Sequence, residues 1–467
     1  MTQLIEQLAA ALGQDAVLSG AAALEARDAA QTHGLAVDLG APLAVLRPRT
    51  TADVARILRL AHAAGRAVVP WGGCTGLVDG ASADGALALS LERMNAIEQI
   101  DETNRVMRVQ AGCVLQKACE GAEARGLLLP LDLGARGSAT VGGVIATNAG
   151  GNRVLRWGMT RDMVLGLEAV LADGTVVNAL NTLIKNNAGY DLKQLFIGSE
   201  GTLGVVTRAV LRLRPKPLSE NVALLAVDAF EHLPRTLTRL ERELGGSLSS
   251  FEVMWAEFYR LVTTTPALGR PILPHGHPFY VLVETRGVNA SADAEHFENV
   301  LAGALEAGEV IDAVIAKSDS ERKAMWSLRD DVPQVTREGP MCAFDVSLKI
   351  DDMPGYLDEV HRALKARWGS ECRFVVWGHL GDGNLHVMVG VGDGSAQAHH
   401  EIEAQVYGAL ARRPGASISG EHGIGLQKRD YLSCSRTPEE IALMRTIKAA
   451  LDPRNILNPG KVLAGSS

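Results

Sequence analysis

Residues 68–76, Val-Val-Pro-Trp-Gly-Gly-Cys-Thr-Gly, join a short apolar strand directly to a glycine-rich loop. Upstream, residues 44–48 form another predicted strand that ends at a proline. A helix is predicted over 52–64, because Thr51 can cap its start and Gly65 can end it. Helices and short strands therefore alternate in the first half of the chain, which indicates α/β or α+β architecture.

Four glycine-rich stretches fall within the first 210 residues, at 72–76, 134–143, 149–151 and 198–204. A strand that runs into such a loop exposes several backbone N–H groups, and such a nest binds phosphate oxygens. None of the four matches G-x-G-x-x-G between a strand and a helix, which disfavours a Rossmann nicotinamide site. Four glycine loops in one domain predict a long phosphate-bearing ligand.

The overall composition excludes several classes of protein. A chain of 467 residues predicts two or three domains, and 47% hydrophobic with 21% charged residues is typical of a soluble globular protein. The net charge of −8 gives no sign of nucleic-acid binding. The sequence contains no run of 18 apolar residues, so no transmembrane segment is predicted. The N-terminus lacks the features of a signal peptide. With six scattered cysteines, a reduced cytoplasmic protein is expected.

The second half of the chain begins after Pro215-Lys216-Pro217, where we place a domain boundary. Helices separate several of the predicted strands, so we expect an antiparallel sheet covered by helices. A further helix over 438–451 is followed by a turn-rich tail. The predicted strands are 222–226, 248–254, 280–284, 313–316, 344–350, 373–378 and 385–391, and the helices lie near 229–243, 291–306, 353–367 and 397–410.

Two motifs in this half carry side chains suited to chemistry. The first is Trp377-Gly378-His379-Leu380-Gly381-Asp382-Gly383-Asn384-Leu385-His386, and the second is Ser419-Gly420-Glu421-His422-Gly423. Two neutral imidazoles and a carboxylate form a common ligand set for a divalent transition metal. His422 is left as a possible base. The same residues could activate water in a metallohydrolase, but that alternative leaves the glycine-rich first half unexplained.

Three loops resemble the FAD-binding domain of the vanillyl-alcohol-oxidase/PCMH flavoprotein superfamily. They are Pro70-Trp71-Gly72-Gly73-Cys74-Thr75-Gly76-Leu77, the stretch from Gly142-Gly143 through Asn148 to Gly150-Gly151, and Gly198-Ser199-Glu200-Gly201-Thr202-Leu203-Gly204. The two histidine motifs and Asn458-Pro459-Gly460-Lys461 resemble its branch of D-lactate and D-2-hydroxyglutarate dehydrogenases and glycolate oxidases. The resemblance covers residues 40–463.

The resemblance implies an α+β fold with a PCMH-type FAD-binding domain of two α/β subdomains and an antiparallel-sheet substrate domain covered by helices. It implies domains at 1–40 (helical segment), 41–217 (FAD-binding), 218–437 (substrate and metal site) and 438–467 (C-terminal segment returning to the flavin). The implied FAD contacts are Pro70, Gly72, Gly73, Cys74, Thr75, Gly76, Leu77, Ser138, Thr140, Gly142, Gly143, Asn148, Gly150, Gly151, Gly158, Gly204, Val205 and Asn458.

For the chemistry, the resemblance implies that His379, His386 and Glu421 bind a divalent metal, with zinc expected and manganese or iron as alternatives. His422 would be the base and contact the substrate, and Arg329 would bind the substrate carboxylate. FAD is expected to be noncovalent, because the hydroxyacid branch usually holds it so. The loop nevertheless contains Cys74.

The implied activity is oxidation of a D-2-hydroxy acid to the 2-oxo acid. An electron-transfer flavoprotein, a quinone or oxygen would accept the electrons, and a homodimer is one option for assembly. An alternative is an FAD-binding subunit of a multi-subunit glycolate oxidase. The sequence departs from the hydroxyglutarate pattern at Ala343 and Met388, and Lys349 replaces the usual proline. These departures leave D-lactate or a longer apolar acid open beside D-2-hydroxyglutarate.

Overall fold

The structure is a computed structural model that describes residues 2–31, 38–392 and 394–465. It divides into two compact units. The first contains residues 1–151, 158–216 and 421–467, and the second contains 152–157 and 217–420. The predicted helical segment 1–40 lies partly outside the described residues, at 32–37. The division at Lys216 falls beside the predicted boundary at 217, whereas the C-terminal part of the first unit begins at Glu421 and not at 438.

Among the described residues, the first unit holds a four-stranded sheet and a five-stranded sheet. The four-stranded sheet has the order Val17–Ser19, Ala44–Leu46, Leu87–Ser90, Val68–Trp71, and its last three strands are parallel. The five-stranded sheet is antiparallel, in the order Ile97–Asp101, Val106–Gln110, Val205–Arg212, Val164–Val170, Val176–Ala179. A small pair joins Leu127–Leu128 to Arg214–Pro215.

Two of the longer helices of this unit begin at a threonine that caps them. Thr50, rather than Thr51, caps Thr51–Ala64 in a reciprocal arrangement with Asp53, and Gly65 ends that helix in the left-handed conformation. Thr437 caps the C-terminal helix with Glu440. The helices are Thr2–Leu12, Ala21–Ala30, Thr51–Ala64, Leu115–Glu123, Val141–Thr147, Thr160–Met163, Lys193–Phe196 and Pro438–Leu451, with short 3-10 turns at Gln14–Ala16 and Arg429–Cys434.

Within the described residues, the second unit holds one antiparallel sheet of seven strands. In spatial order the strands are Asp312–Ile315, Ser219–Val227, Phe279–Gly287, Leu248–Trp255, Arg373–His379, Asn384–Gly390 and Cys342–Ser347. Its helices are Val154–Trp157, His232–Glu243, Ala256–Thr263, Ala290–Glu306, Asp319–Asp330, Met353–Trp368 and Ala396–Ala411, with 3-10 turns at Val332–Thr336, Ile350–Asp352, Gly369–Glu371 and Leu380–Asp382.

The sheet of the second unit forms one wall of a hydrophobic core. Tyr259, Leu282, Trp377 and Met388 are buried there together with Leu328 of the helix Asp319–Asp330. Each of the seven strands predicted for this half is present, and so are the four helices, with ends that differ by a few residues. The predicted α+β fold with an antiparallel, helix-covered sheet is confirmed.

Among the described residues, no helix combines the length and apolar character needed to cross a bilayer.

Candidate active site

A hairpin of the seven-stranded sheet carries the two predicted metal-binding histidines. His379 is the last residue of Arg373–His379, and Gly383, with φ of 81°, reverses the chain into Asn384–Gly390. Trp377 lies directly opposite His386. Because side chains two residues apart share a face, His379 is the diagonal neighbour of His386 on that face. The two rings meet edge to face with centroids 5.3 Å apart, and a nitrogen of one lies within 4.8 Å of a nitrogen of the other.

The next strand places Glu252 directly opposite His379. Glu252 is 2% exposed, and its Oε1 accepts a hydrogen bond of 2.7 Å from His379 Nδ1. Its Oε2 accepts one of 2.8 Å from Nε of Arg329, which is 7% exposed. Arg329 therefore lies buried beside the histidines, in an ion pair with Glu252.

On the other side of the hairpin, Asp345 lies opposite His386. Asp345 is fully buried and accepts hydrogen bonds from Asn384 Nδ2 at 2.7 Å and from Ser419 Oγ at 3.2 Å. One of its carboxylate oxygens lies within 4.8 Å of a His386 ring nitrogen. Gly420 also packs here, since a Cβ on it would meet Asn384 Nδ2 at 2.0 Å. Four neighbouring strands thus align carboxylates and imidazoles along one face.

Glu421 and His422 follow Gly420 in the chain and belong to the first unit. Both are half-buried. The backbone N–H of Gly151 donates to Oε1 of Glu421 at 2.6 Å. Just beyond His422, Glu200 accepts hydrogen bonds from the N–H groups of Ile424 and Gly425, at 2.7 and 2.8 Å. Two glycine loops therefore hold the segment that carries the predicted base.

In the first unit, the first two glycine loops pack backbone against backbone. A Cβ on Gly72 would lie 2.5 Å from Thr140 Oγ1, and one on Gly73 would lie 2.0 Å from the carbonyl oxygen of Ser138. Thr140 caps the helix Val141–Thr147 by accepting from Gly143 N–H. The close approach explains glycine at 72 and 73, because a side chain at either position would force the loops apart.

Asn458 is the predicted cofactor residue with the clearest polar geometry. It is 2% exposed, and its Nδ2 donates to the carbonyl oxygens of Gly80 and Glu200, at 3.0 and 2.7 Å. Its Oδ1 is buried and has no hydrogen-bond partner within the described part of the chain. A buried amide oxygen without a donor is costly. An N–H donor on a bound ring, such as that of a flavin, would satisfy it.

Other predicted cofactor positions have packing reasons for their identity. A Cβ on Gly142 would meet Ala111, one on Gly151 the carbonyl oxygen of Asp132, one on Gly158 the carboxylate of Asp162, and one on Gly204 the ring of Phe196. Asn148 ends the helix Val141–Thr147 in the left-handed conformation. Val205 begins a buried strand. Cys74 is buried, and burial raises the pKa of its thiol to about 12.

The three departures from the hydroxyglutarate pattern lie in different surroundings. Met388 is buried in the apolar core beside Trp377. Ala343, its partner in the sheet, is exposed. The strand ends at Ser347, so Lys349 lies beyond it, exposed to solvent. The predicted strand 344–350 therefore ends three residues early, and two-residue alternation does not extend to Lys349.

Sequence reasoning missed Glu252, Asp345 and Glu200 as parts of this site. Glu252 had a usable signal, since it is a carboxylate in the middle of the apolar strand Leu248–Trp255. Buried carboxylates need partners. The identity of those partners, Arg329 and His379, depends on strand order and helix packing that no local pattern encodes.

Comparison with known families gives two matches. Residues 42–180 match the FAD binding domain family, and residues 216–462 match the family of FAD linked oxidases, C-terminal domain. The mitochondrial D-2-hydroxyglutarate dehydrogenase of Bos taurus is 44% identical over 91% of this chain and 77% of its own length. The D-2-hydroxyglutarate dehydrogenase of Xanthomonas citri pv. viticola is 41% identical over 90% of this chain and 89% of its own.

Among solved structures, p-cresol methylhydroxylase with substrate bound superimposes with a TM-score of 0.79 at 16% identity, covering 99% of this chain and 97% of that one. This likeness concerns the fold and matches the predicted PCMH-type architecture. The prediction of a cytoplasmic protein is contradicted, because the bovine relative is named as a mitochondrial enzyme.

Proposed function

The chain belongs to the FAD-linked D-2-hydroxyacid dehydrogenase family, and from that membership we propose that it oxidises D-2-hydroxyglutarate or D-lactate to the 2-oxo acid with a divalent metal at its site. The resemblance drawn from the glycine loops and the histidine motifs is thereby confirmed. The observation that carries the proposed chemistry is the buried row of Glu252, His379 and His386 on one face of the sheet, with Arg329 of the helix Asp319–Asp330 paired to Glu252.

The FAD-binding residues are proposed to be those of the first unit's glycine loops together with Asn458. The 72–76 loop packs closely on Ser138 and Thr140 at Gly72 and Gly73, and its backbone N–H groups are proposed to bind the pyrophosphate. The unsatisfied Oδ1 of Asn458 supports a polar heterocycle nearby. Bound FAD supplies a two-electron acceptor for the hydride from C2 of the hydroxy acid.

A divalent metal, with zinc as the first choice and manganese or iron as alternatives, is proposed to bind His379, His386 and Glu421. The donor set is suitable, since neutral imidazoles and a carboxylate are common ligands of these metals. A cation of this kind supplies Lewis-acid polarisation of a hydroxyl oxygen. Because Nε2 of His379 lies 3.1 Å from Arg329 Nη2, a cation at Nε2 would take the place of this hydrogen bond from the guanidinium.

The protein's own groups perform the remaining steps. Arg329 is proposed to bind the substrate carboxylate, since a guanidinium offers five N–H donors in a planar fork and can serve a second carboxylate beside Glu252. His422 is proposed to accept the hydroxyl proton, because an imidazole titrates near neutral pH. Gly151, which donates to Glu421, and Glu200, which binds the 424–425 backbone, hold the segment that carries His422.

The substrate pocket is proposed to differ from the usual hydroxyglutarate site. Met388 contributes an apolar side chain, and Lys349 lies exposed beyond its strand. D-lactate, a monocarboxylate, is therefore proposed as a candidate for the preferred substrate beside D-2-hydroxyglutarate. An electron-transfer flavoprotein or a quinone is proposed as the electron acceptor, with oxygen as an alternative.

An anaerobic screen of D- and L-2-hydroxy acids tests this function. We expect the yellow protein to bleach with D- and not with L-enantiomers, and a chelator to slow the bleaching. Failure of every D-2-hydroxy acid to bleach the flavin would contradict the activity. Unchanged bleaching after complete chelation would show that the reaction does not need the metal, and would leave the proposed oxidation standing.

A further inference from the structure

Glu252, His379 and Arg329 form a closed ring of hydrogen bonds within the second unit. Glu252 Oε1 lies 2.7 Å from His379 Nδ1, and Oε2 lies 2.8 Å from Arg329 Nε. The ring closes between Arg329 Nη2 and His379 Nε2, at 3.1 Å. All three side chains are buried. The carboxylate therefore contacts both an implied metal ligand and the implied carboxylate-binding residue.

The partners determine which nitrogen of His379 carries the proton. An ionised carboxylate only accepts hydrogen bonds, so Nδ1 must donate to Glu252. A guanidinium only donates, so Nε2 must accept from Arg329. Both contacts require the neutral tautomer with the proton on Nδ1. That tautomer leaves the Nε2 lone pair as the one available to a cation.

We propose that Glu252 is a positioning residue that sets two functional side chains at once. It holds His379 in the tautomer with a proton on Nδ1, and it holds the Nε edge of Arg329. The substrate carboxylate and the hydroxyl group are thereby kept at a constant spacing. This inference rests on the proposed function, because it assigns roles to Arg329 and His379.

The position of Glu252 in the sheet supports this role over simple charge neutralisation. Glu252 is opposite His379 in the register of two central strands, so its distance from the histidine is set by the backbone. Arg329 comes from a helix, Asp319–Asp330, that packs on the same core through Leu328. A residue anchored in the sheet can therefore orient a residue supplied by the covering helix.

Glu252→Gln is the direct test, since glutamine keeps the size of the side chain but offers one acceptor and one donor group. If the amide oxygen serves Arg329, the NH2 group faces Nδ1 and favours the opposite tautomer of His379. We expect the ¹⁵N spectrum of histidine-labelled, metal-free protein to show His379 moving from the Nδ1–H to the Nε2–H pattern. His379→Asn identifies the resonance.

Steady-state kinetics of Glu252→Gln provide a second test. We expect Glu252→Gln to lower metal affinity or activity by about 10–100-fold, as for other residues that orient metal ligands. KM should rise together with the fall in kcat, because Arg329 is displaced as well. Zinc content after dialysis against a fixed zinc concentration should fall, and this reading does not depend on turnover.

Glu284→Gln is the matched control. Glu284 is a fully buried glutamate of the same sheet, paired with Arg153 and Arg286, and it has no role in the proposed chemistry. It should lose stability without moving the His379 resonance or KM. If Glu252→Gln does not fold, Glu252→Asp retains the charge with a shorter reach. It should raise KM and lower zinc content while leaving the proton of His379 on Nδ1, because a carboxylate only accepts. Wild-type KM and zinc content in Glu252→Asp would contradict the role.

A wild-type His379 spectrum with the proton on Nε2, or a Glu252→Gln protein with wild-type spectrum and KM, would overturn the assignment. The spectrum separates this inference from the proposed function. If no D-2-hydroxy acid reduces the wild-type flavin, the function fails while the tautomer measurement still decides the role of Glu252.

Discussion

At the scale of single residues, the environment of a side chain decides what its chemistry can be. His379 and His386 are chemically identical, yet His379 contacts Glu252 and Arg329 while His386 lies between Trp377 and Asp345. The family resemblance implied that both bind a metal. Because His379 contacts both Glu252 and Arg329, we expect its ring orientation to be fixed by these two side chains.

His422 is expected to be essential for turnover and dispensable for cofactor binding. His422→Ala should reduce kcat by at least ~10²-fold, which is the usual scale for loss of a general base. Flavin absorbance per protein should be unchanged. Steady-state kinetics with the best D-2-hydroxy acid, with flavin content measured in the same preparation, provides the check, and near-normal turnover would remove His422 from the mechanism.

Glu284 gives a prediction for acid stability. Burial acts to raise its pKa, but the charges of Arg153 and Arg286 and their hydrogen bonds outweigh burial and hold the pKa well below the ordinary 4.5. The folded state then resists protonation more than the unfolded state does. Its stabilising contribution is present above pH 4.5 and is lost as the pH falls through the lowered pKa.

Below pH 4.5, the unfolding free energy of Glu284→Gln should change less steeply with pH than that of the wild-type protein. The two slopes should differ by up to about 1.4 kcal/mol per pH unit. Urea denaturation of the two proteins at several acidic pH values measures this slope. Parallel slopes would show that Glu284 titrates normally in the folded protein.

At the scale of elements, the glycine loops depend on close backbone approach. The loop at 72–76 and the segment that caps Val141–Thr147 are in contact at Gly73 and Ser138. Each loop alone is ordinary in sequence. This close contact leaves no room for a side chain at Gly73, which is why that glycine cannot be replaced freely.

Gly73→Ala should weaken FAD binding, because its Cβ would lie 2.0 Å from the Ser138 carbonyl oxygen. Overpacking of this kind costs roughly 1–3 kcal/mol, which corresponds to a loss of about 5- to 140-fold in FAD affinity. Fluorescence titration of the apoprotein with FAD measures the change. Gly408→Ala, in the helix Ala396–Ala411 of the second unit, is the control, since a Cβ there meets no atom within 4 Å and should leave the FAD affinity unaltered.

The strands of the second unit are the elements that sequence predicted most completely. All seven predicted strands are present, with errors confined to their ends. Strand ends depend on hydrogen bonding beyond the local pattern. The predicted strand 344–350 would place Lys349 on the same face as Asp345. The observed strand ends at Ser347, so Lys349 lies outside it.

At the scale of the whole molecule, the first unit is assembled from three stretches of chain, and its C-terminal stretch returns to the first sheet. Leu457 bridges to Val68, and Asn458 N–H donates to Val68 at 2.9 Å. Lys448 binds the carbonyl oxygens of Thr202 and Leu457. The tail therefore belongs to the fold of this unit, together with the predicted FAD residue Asn458.

Release of FAD should be reversible and destabilising. Acid precipitation should leave a colourless pellet and a yellow supernatant, because the burial that raises the pKa of Cys74 keeps its thiol protonated. Added FAD should raise the melting temperature of the apoprotein, and at 100 times its Kd it adds about 2.7 kcal/mol to the unfolding free energy. Yellow colour retained in the pellet would contradict noncovalent binding.

The sequence by itself determined the family, the α+β class, the seven strands and the identity of the histidine and glycine motifs, because these depend on local periodicity and on motifs with a particular spacing. Only the tertiary structure decided that Glu252 lies opposite His379, that Arg329 is buried against both, and that Gly73 meets Ser138. Such neighbours are separated by tens to hundreds of residues. Their meeting is set by strand order and packing, which are properties of the whole fold.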